Sequence, residues 1–286
     1  MTHIDSLPDR PRDGGECATV AGGRNDSPGD KPGSATAVRA RVVDELRRLL
    51  PRMSEAAGTP RALSFGIREL DSRLHQGGLA FGALHEIVPA SDRDTPAALG
   101  FIMALLGRLP RTETMLFVSP KRWLARYGKP YGHGLNALGL DPSRLLFAQT
   151  VDDKQTLWSI EESLRAMALT AVTGVVESLD LKTSQKLQFT ARETGQPLLI
   201  LRPPKTLQAS AATTRWRIGA AEAARDRFGL VTQWRWLLRL ERCRNGRGGE
   251  WLMEFDHVAH RFSLVSALAG SAVSGGADTQ SRQRTG

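Results

Sequence analysis

The stretch Gly77-Gly78-Leu79-Ala80-Phe81-Gly82-Ala83-Leu84-His85-Glu86-Ile87-Val88-Pro89-Ala90-Ser91-Asp92-Arg93-Asp94-Thr95 decides the fold of this 286-residue chain. Its glycines predict a turn, and the apolar run Ala83–Val88 behind them predicts a buried strand. A short polar loop follows, and Pro96 then opens a helix, since proline is favoured at the first helical position. A strand, a loop and a helix in this order are the context that a phosphate-binding P-loop requires.

The loop itself lacks most of the ligands for a nucleotide. A working P-loop needs glycines for close backbone approach, a lysine on the β- and γ-phosphates, and a serine or threonine on the metal. The candidate loop Ser91, Asp92, Arg93, Asp94 and Thr95 keeps the threonine, but Asp94 stands at the lysine position and Arg93 at the second glycine. Placing an anion there exchanges an attraction of roughly 4 kcal/mol for a repulsion. We therefore expect a degenerate P-loop, a helix capped by Thr95 with Asp92 and Asp94 satisfying its free N–H groups, and no cofactor.

Composition places the chain among globular proteins with a basic surface. Lys and Arg number 39 against 30 Asp and Glu, a net charge of +9. This balance favours nucleic acid, a nucleoprotein complex or an acidic partner. Cys17 and Cys243 make no metal spacing, and of six histidines only His257 and His260 lie close together, so we expect no metal site. With no apolar leader or membrane-length segment, we predict a cytoplasmic protein.

Four segments follow from the pattern. Residues 1–36 and 269–286 are polar and aperiodic, which predicts disordered tails. Residues 37–57 hold an arginine-rich helix with apolar positions at helical spacing; it either packs on its own domain or serves as a docking or oligomer-forming arm. Residues 60–268 form the core.

In that core, strands and helices alternate, which predicts an α/β fold with a mainly parallel sheet. The predicted strands are Leu84–Val88, Thr114–Ser119, Leu145–Gln149, Gly174–Glu177 and Leu198–Leu201. The predicted helices are Ala97–Leu109, Gly134–Leu138, Asp152–Thr170 and Lys182–Thr194. Trp234–Cys243 and Glu250–Asp256 predict a C-terminal antiparallel hairpin around Asn245-Gly246, and Phe262–Val265 a last strand.

This order of elements resembles the core of the RecA-type recombinases, over about residues 61–266. Leu63–Leu74 followed by Gly77-Gly78-Leu79 is similar to the RecA segment that leads into the P-loop strand. Ala137–Leu146 resembles a second family segment, and Gly174–Ser178 falls where that family has its Walker B strand. The resemblance implies a RecA-like P-loop NTPase-type core.

The departures from that family recur at each catalytic position. Besides Asp94, they comprise Ser119-Pro120-Lys121 in place of the water-activating acid, Glu177 as the Walker B-like acid, and Arg202-Pro203-Pro204 where a nucleotide-sensing residue is expected. Phosphoryl transfer depends on positioning and charge neutralisation by these groups. We therefore predict that the chain is not an enzyme.

Within RecA-like proteins, the pattern resembles the ImuA family. The features that carry the likeness are Gly82–Glu86 with its ligand-poor loop, Leu198–Pro203, Ser210–Arg217, and the strand and turn Trp236–Arg247. The resemblance implies an accessory role in SOS, damage-induced mutagenesis and translesion synthesis. Its implied partners are an ImuB-type Y-family polymerase homologue and an error-prone C-family DNA polymerase, with RecA as a further candidate.

Arginine and tryptophan alternate in the C-terminal half of the core. This pattern offers contacts to a protein partner or, secondarily, to DNA, because both residues anchor interfaces and stack on bases. It equally fits strands whose alternate residues fill the core while arginines face solvent. The candidate contacts are Arg215, Trp216, Arg217, Arg235, Arg239, Arg242, Arg244 and Arg247.

Two further functions compete with the non-catalytic accessory factor. One is a weak DNA-dependent ATPase or recombinase of the RecA class, and the other is an inhibitor of RecA filaments or of cell division. If the C-terminal half carries the interface, truncation after about Leu207 abolishes co-purification with an ImuB-type partner.

Overall fold

The computed structural model describes residues 61–206 and 208–265. The predicted core falls almost entirely on these residues. The predicted tails and the helix of residues 37–57 lie outside them. Among the described residues, no helix combines the length and the apolar character needed to cross a bilayer.

A nine-stranded sheet organises the described chain, beside a small antiparallel pair, β1 (Ala62–Leu63) and β2 (Leu79–Ala80). Its strands are β3 (Leu84–Pro89), β4 (Met115–Pro120), β5 (Leu145–Thr150), β6 (Ala171–Val175), β7 (Leu198–Leu201), β8 (Thr214–Arg225), β9 (Val231–Cys243), β10 (Gly249–Asp256) and β11 (Arg261–Leu264). The spatial order is β11-β10-β9-β8-β3-β7-β6-β4-β5. Pairing is parallel from β5 to β8 and antiparallel from β8 to β11, which confirms the predicted α/β class and C-terminal hairpin.

In the described part of the chain, six helices connect the strands. They are α1 (Arg68–Asp71), α2 (Thr95–Leu106), α3 (Lys121–Tyr127), α4 (Gly132–Ala137), α5 (Asp153–Arg165) and α6 (Leu181–Thr194). Side-chain caps start the two long helices that share one face of the sheet: Asp152 accepts from the N–H of Gln155, and Asp180 from that of Thr183. Gly195, at φ +72°, ends α6 in the left-handed conformation that glycine adopts without steric cost.

The larger apolar core lies between the other face of the sheet and α2. Aromatic rings from distant segments meet there, among them Phe65, Phe101, Trp216, Trp236 and Phe255. Burying a side chain of this size contributes roughly 1.5–3 kcal/mol. The indole N–H of Trp236 donates to the carbonyl of Ala97 at 3.0 Å, so the antiparallel strands are bonded to α2 as well as packed on it.

The sequence predicted most elements within a few residues. The short elements β1, α1 and β2 were not predicted, and four further differences concern longer elements. Helix α5 ends at Arg165 and β6 begins at Ala171, earlier than predicted, because Met167 at φ +49° stops the helix. Strand β8 and helix α3 were missed. The Arg- and Ala-rich sequence of β8 has little intrinsic β-propensity, and its parallel pairing with β3 is long-range in sequence.

Candidate functional site

A pocket of about 460 Å³ lies at the carboxyl ends of the parallel strands, and we call it the strand-end pocket. Ligands of open α/β sheets bind at this edge. Its apolar wall includes Val175 at the end of β6 and Leu201 at the end of β7, with Trp123 and Tyr127 from α3 facing Pro203 and Pro204. The loop that joins β3 to α2 forms another side.

That loop is organised around Asp94, the residue at the lysine position. One carboxylate oxygen of Asp94 accepts from the backbone N–H of Ala220 in β8 at 2.8 Å, and the other from the hydroxyl of Ser91 at 2.6 Å. The loop is therefore pulled against β8. Residues 92–94 form a 3₁₀ turn, and none of residues 90–95 has a positive φ, so the left-handed residues that help curve a phosphate-binding nest are missing from the loop.

The first glycine position of the P-loop motif is also taken by another residue. Counting back from Asp94 and Thr95, the first glycine of a G-x-x-x-x-G-K-T frame falls on Val88, a fully buried residue of strand β3. A strand residue at this place cannot open the wide turn that surrounds a phosphate. Thr95 keeps the metal-binding hydroxyl of the frame, but that hydroxyl is buried and has no hydrogen-bond partner among the described residues.

Charged side chains around the pocket neutralise one another. Glu177, the Walker B-like acid, accepts from Arg122 at 3.2 Å, and Arg122 also reaches Asp153 at 2.9 Å. Contacts with these acids raise the pKa of Arg122, and the largest cause is the hydrogen bond that Arg122 donates to Glu177. Asp92 pairs with Arg126 at 3.4 Å across the opening. These pairs are largely exposed, so each stabilises the fold only weakly.

Beneath the pocket, a fully buried carboxylate holds two arginines. Glu86 of β3 accepts from Arg215 of β8 at 2.8 Å and from Ser210 at 2.9 Å, and its second oxygen lies 3.7 Å from Arg202. Arg202 also donates to the carbonyl of Val176 at 3.0 Å. Burial lowers the pKa of Arg202, with Glu86 opposing and Arg215 adding to that shift. The network bonds β3 to β8 and to the segment that begins at Arg202.

A second buried chain of hydrogen bonds starts at His85. Its Nε2 lies 2.9 Å from the carbonyl of Ala80, which only accepts, so Nε2 carries the proton. Its Nδ1 then accepts from Thr214, whose hydroxyl oxygen accepts from the indole N–H of Trp216 at 3.0 Å. Burial lowers the pKa of His85 to about 4, so the ring is neutral at pH 7. These bonds join β2, β3 and β8.

The arginines that the sequence suggested as partner contacts lie in different parts of the structure. Arg217 pairs with Glu241, and Arg235 with Glu254, on the face of β8–β10 that points away from the aromatic core. Arg239 is exposed on the same face, directly opposite Glu250 in register. Three arginines and three glutamates thus offset one another on this face.

The remaining candidates lie in four other settings. Trp216 is fully buried in the core, and Arg215 belongs to the Glu86 network. Arg242 donates to the carbonyl of Ser210. Arg244 and Arg247, in the turn between β9 and β10, are both exposed, and neither has an ion pair among the described residues. This turn packs against the segment after α1, where the N–H of Arg247 donates to the carbonyl of Arg73 at 3.3 Å.

Comparison with known proteins agrees with the family that the sequence suggested. No family model matches the chain. Protein ImuA from each of two strains of Caulobacter vibrioides is 32% identical to it over 235 residues, which covers 76% of this chain and 94% of the relative. The chain belongs to the ImuA family. The predicted resemblance is thereby confirmed.

The sequence of this ImuA family member did not point to two of the buried residues that shape its site. Glu86 and His85 were quoted only as part of a family-like stretch, although a charged and an ionisable residue side by side in an apolar strand is itself a signal. A buried ionisable group needs a partner. Their partners Arg202, Arg215 and Thr214 are more than 100 residues away, so no local pattern could find them.

Removing the Asp94 carboxylate is expected to loosen the loop of this ImuA family member without unfolding it. Asp94→Ala deletes two hydrogen bonds to a charged acceptor and should cost about 1–3 kcal/mol in the free energy of unfolding, as measured by urea denaturation. Asp92→Ala is the matched control, because it removes the same charge from the same loop but breaks only an exposed ion pair. Equal effects of the two substitutions would contradict the anchoring role of Asp94.

Proposed function

We propose that this ImuA family member is a non-catalytic, RecA-like accessory factor of SOS, damage-induced mutagenesis that assembles a translesion synthesis complex through protein–protein contacts. The proposed partners are an ImuB-type Y-family polymerase homologue and an error-prone C-family DNA polymerase. Family membership supports the setting. The geometry of the loop supports the absence of catalysis.

The observation that carries the proposal is the position of Asp94. A lysine there would point a cation at a triphosphate, whereas this carboxylate bonds to Ala220 and holds the loop against β8. The loop and its anchor thus form a rigid part of the scaffold. A protein with this loop is suited to present surfaces to partners while its sheet stays fixed.

Adding ATP is expected to leave the stability of the protein unchanged. A ligand at 100 times its dissociation constant would add about 2.7 kcal/mol, which is easily measured as a shift in thermal unfolding. We expect no such shift with Mg-ATP, and no phosphate release with or without single-stranded DNA. Asp94→Lys is the informative variant: it restores the missing cation but breaks the anchor, so we expect it to lower stability without gaining hydrolysis. If the unaltered protein hydrolyses ATP and Glu177→Gln abolishes this hydrolysis, the proposal is refuted and the protein is a weak ATPase.

A test of partner binding should use substitutions that leave the core intact, unlike truncation. Removing the chain after residue 207 deletes β8–β11, and with them Trp216, Trp236 and Phe255 of the main core, so loss of binding would report unfolding. Arg244→Glu with Arg247→Glu instead alters only the exposed turn between β9 and β10. We expect it to reduce co-purification with an ImuB-type partner at least tenfold, while Arg192→Glu on α6 does not. Unchanged recovery of the partner would refute this turn as the interface.

A further inference from the structure

A two-stranded arm, residues 222–233, extends from the carboxyl edge of the sheet. Strand β8 pairs with β3 only as far as Ile218, and β9 pairs with β10 only from Trp234 onward. From residue 222 to residue 233 the two strands bond to each other alone among the described residues. Five residues separate Ala221 from the tip at Asp226, so the arm reaches about 16 Å beyond its base.

The tip of the arm is well ordered by its own hydrogen bonds. One oxygen of Asp226 accepts from the N–H groups of Phe228 at 2.8 Å and Leu230 at 2.9 Å, and Arg225 donates to the carbonyl of Gly229 at 2.7 Å. The guanidinium of Arg227 lies 4.6 Å from the centre of the Phe228 ring. The tip is therefore a built structure with defined side-chain positions.

This ordered tip presents apolar surface to solvent. Phe228 is 71% exposed and Leu230 65% exposed, and Val231 adjoins them. A two-stranded ribbon is marginally stable in water by itself, and exposed apolar clusters on built elements mark interaction sites. The stalk below carries Ala220, Ala221, Ala223 and Ala224, whose small side chains permit close packing of another backbone.

The strand-end pocket offers matching chemistry at the same edge of the molecule. Its aromatic and proline wall, Trp123 and Tyr127 facing Pro203 and Pro204, suits a phenyl ring, and its volume of about 460 Å³ lies in the range of side-chain and ligand pockets. Its rim carries the carboxylates of Asp92 and Glu177, whose arginine pairs are exposed and weak. A cation arriving beside the ring can pair with these carboxylates in place of Arg122 or Arg126.

We propose that the arm of one copy inserts Phe228 into the strand-end pocket of a second copy, with Arg227 reaching the carboxylates of Asp92 and Glu177. Because each copy carries the arm and the pocket on the same edge, the exchange is reciprocal and closes as a twofold dimer. The two alanine stalks pass beside each other. The contact leaves the arginine–glutamate face and the turn at Arg244 free for other partners.

The test is the molar mass of the full chain by light scattering and sedimentation over 1–100 μM. We expect a monomer–dimer equilibrium that Phe228→Ser shifts at least tenfold toward monomer. Phe189→Ser is the matched control, since Phe189 is a comparably exposed phenylalanine on α6 and should leave the equilibrium unchanged. Circular dichroism and thermal unfolding verify that both variants are folded.

A charge exchange tests the pocket side. Arg227→Glu and Glu177→Arg should each weaken the dimer, and the double variant should recover at least part of the loss. Mixing Phe228→Ser with Glu177→Arg, which leaves one intact arm and one intact pocket in a mixed pair, should restore some dimer. A monomer at 100 μM, a dimer unaffected by Phe228→Ser, or a Phe228→Ser defect confined to binding of a single-stranded oligonucleotide would overturn the proposal.

Discussion

Glu86→Gln is expected to destabilise the protein by about 3–5 kcal/mol, the largest effect of any single substitution we propose. Glutamine keeps the shape and the acceptor of Glu86 but removes the negative charge. Arg215 would then lose its charged partner, and the buried Arg202 would face another guanidinium with no anion beside it. An uncompensated buried charge is costly because the protein interior solvates it poorly.

Urea denaturation monitored by tryptophan fluorescence measures this effect, with two comparisons. Glu241→Gln removes a carboxylate from a partly exposed pair with Arg217, and we expect a change below about 1 kcal/mol. Glu86→Gln combined with Arg202→Met should be less destabilised than Glu86→Gln alone, since the second substitution removes the stranded charge. If the combination of Glu86→Gln and Arg202→Met is as unstable as Glu86→Gln alone, or less stable, the network does not act as a unit.

The Glu86 network also explains how the pocket keeps its shape. Arg202 is the first residue after β7, and its bond to the carbonyl of Val176 holds the ends of β6 and β7 together. Pro203 and Pro204 follow directly and form one wall of the strand-end pocket. A buried charge cluster in the sheet thus fixes a surface several residues away.

The sequence predicted the buried strands well because their pattern is simple. Strands β3, β4 and β7 are buried along their whole length, and such strands appear as mainly apolar runs between turns, interrupted in β3 by His85 and Glu86. The limits of β7 were predicted to the residue. Strand β8 was not predicted, because its alternation of arginine with tryptophan and alanine resembles a surface segment. Only its pairing with β3 and β9 identifies it as a strand.

The sequence identified residues of the site, such as Asp94, but not the partners to which they bond. The sequence indicated that Asp94 does not serve a nucleotide, and it predicted a local role in capping the helix. In the structure Asp94 bonds to Ala220, 126 residues away, and connects the loop to β8. Likewise, the sequence could not show that Arg217 and Arg235 face glutamates, because that pairing depends on strand register.

Acid is expected to weaken the fold through His85. Its pKa is about 4 in the folded protein, lowered by burial from an ordinary value of 6.5, with the bond to Ala80 opposing the shift. Below pH 6.5 His85 binds a proton in the unfolded chain but stays neutral in the folded protein until the pH approaches 4. The contribution of His85 to stability is therefore complete above pH 6.5 and is lost as the pH falls toward 4. The shift corresponds to about 3 kcal/mol.

The measurement is the free energy of unfolding between pH 7.5 and 4 for the parent and for His85→Gln. Glutamine donates to Ala80 and accepts from Thr214 without titrating, so the variant should start less stable but lose less stability across this range. Taking the difference between the two profiles removes the carboxylates they share, among them Asp141, Asp180 and Asp256, whose pKa values are lowered by local hydrogen bonds. The exposed His133→Gln is measured alongside as the control substitution. Parallel profiles for the parent and His85→Gln would mean that folding leaves the pKa of His85 at its ordinary value, which would contradict the effect of burial on this ring.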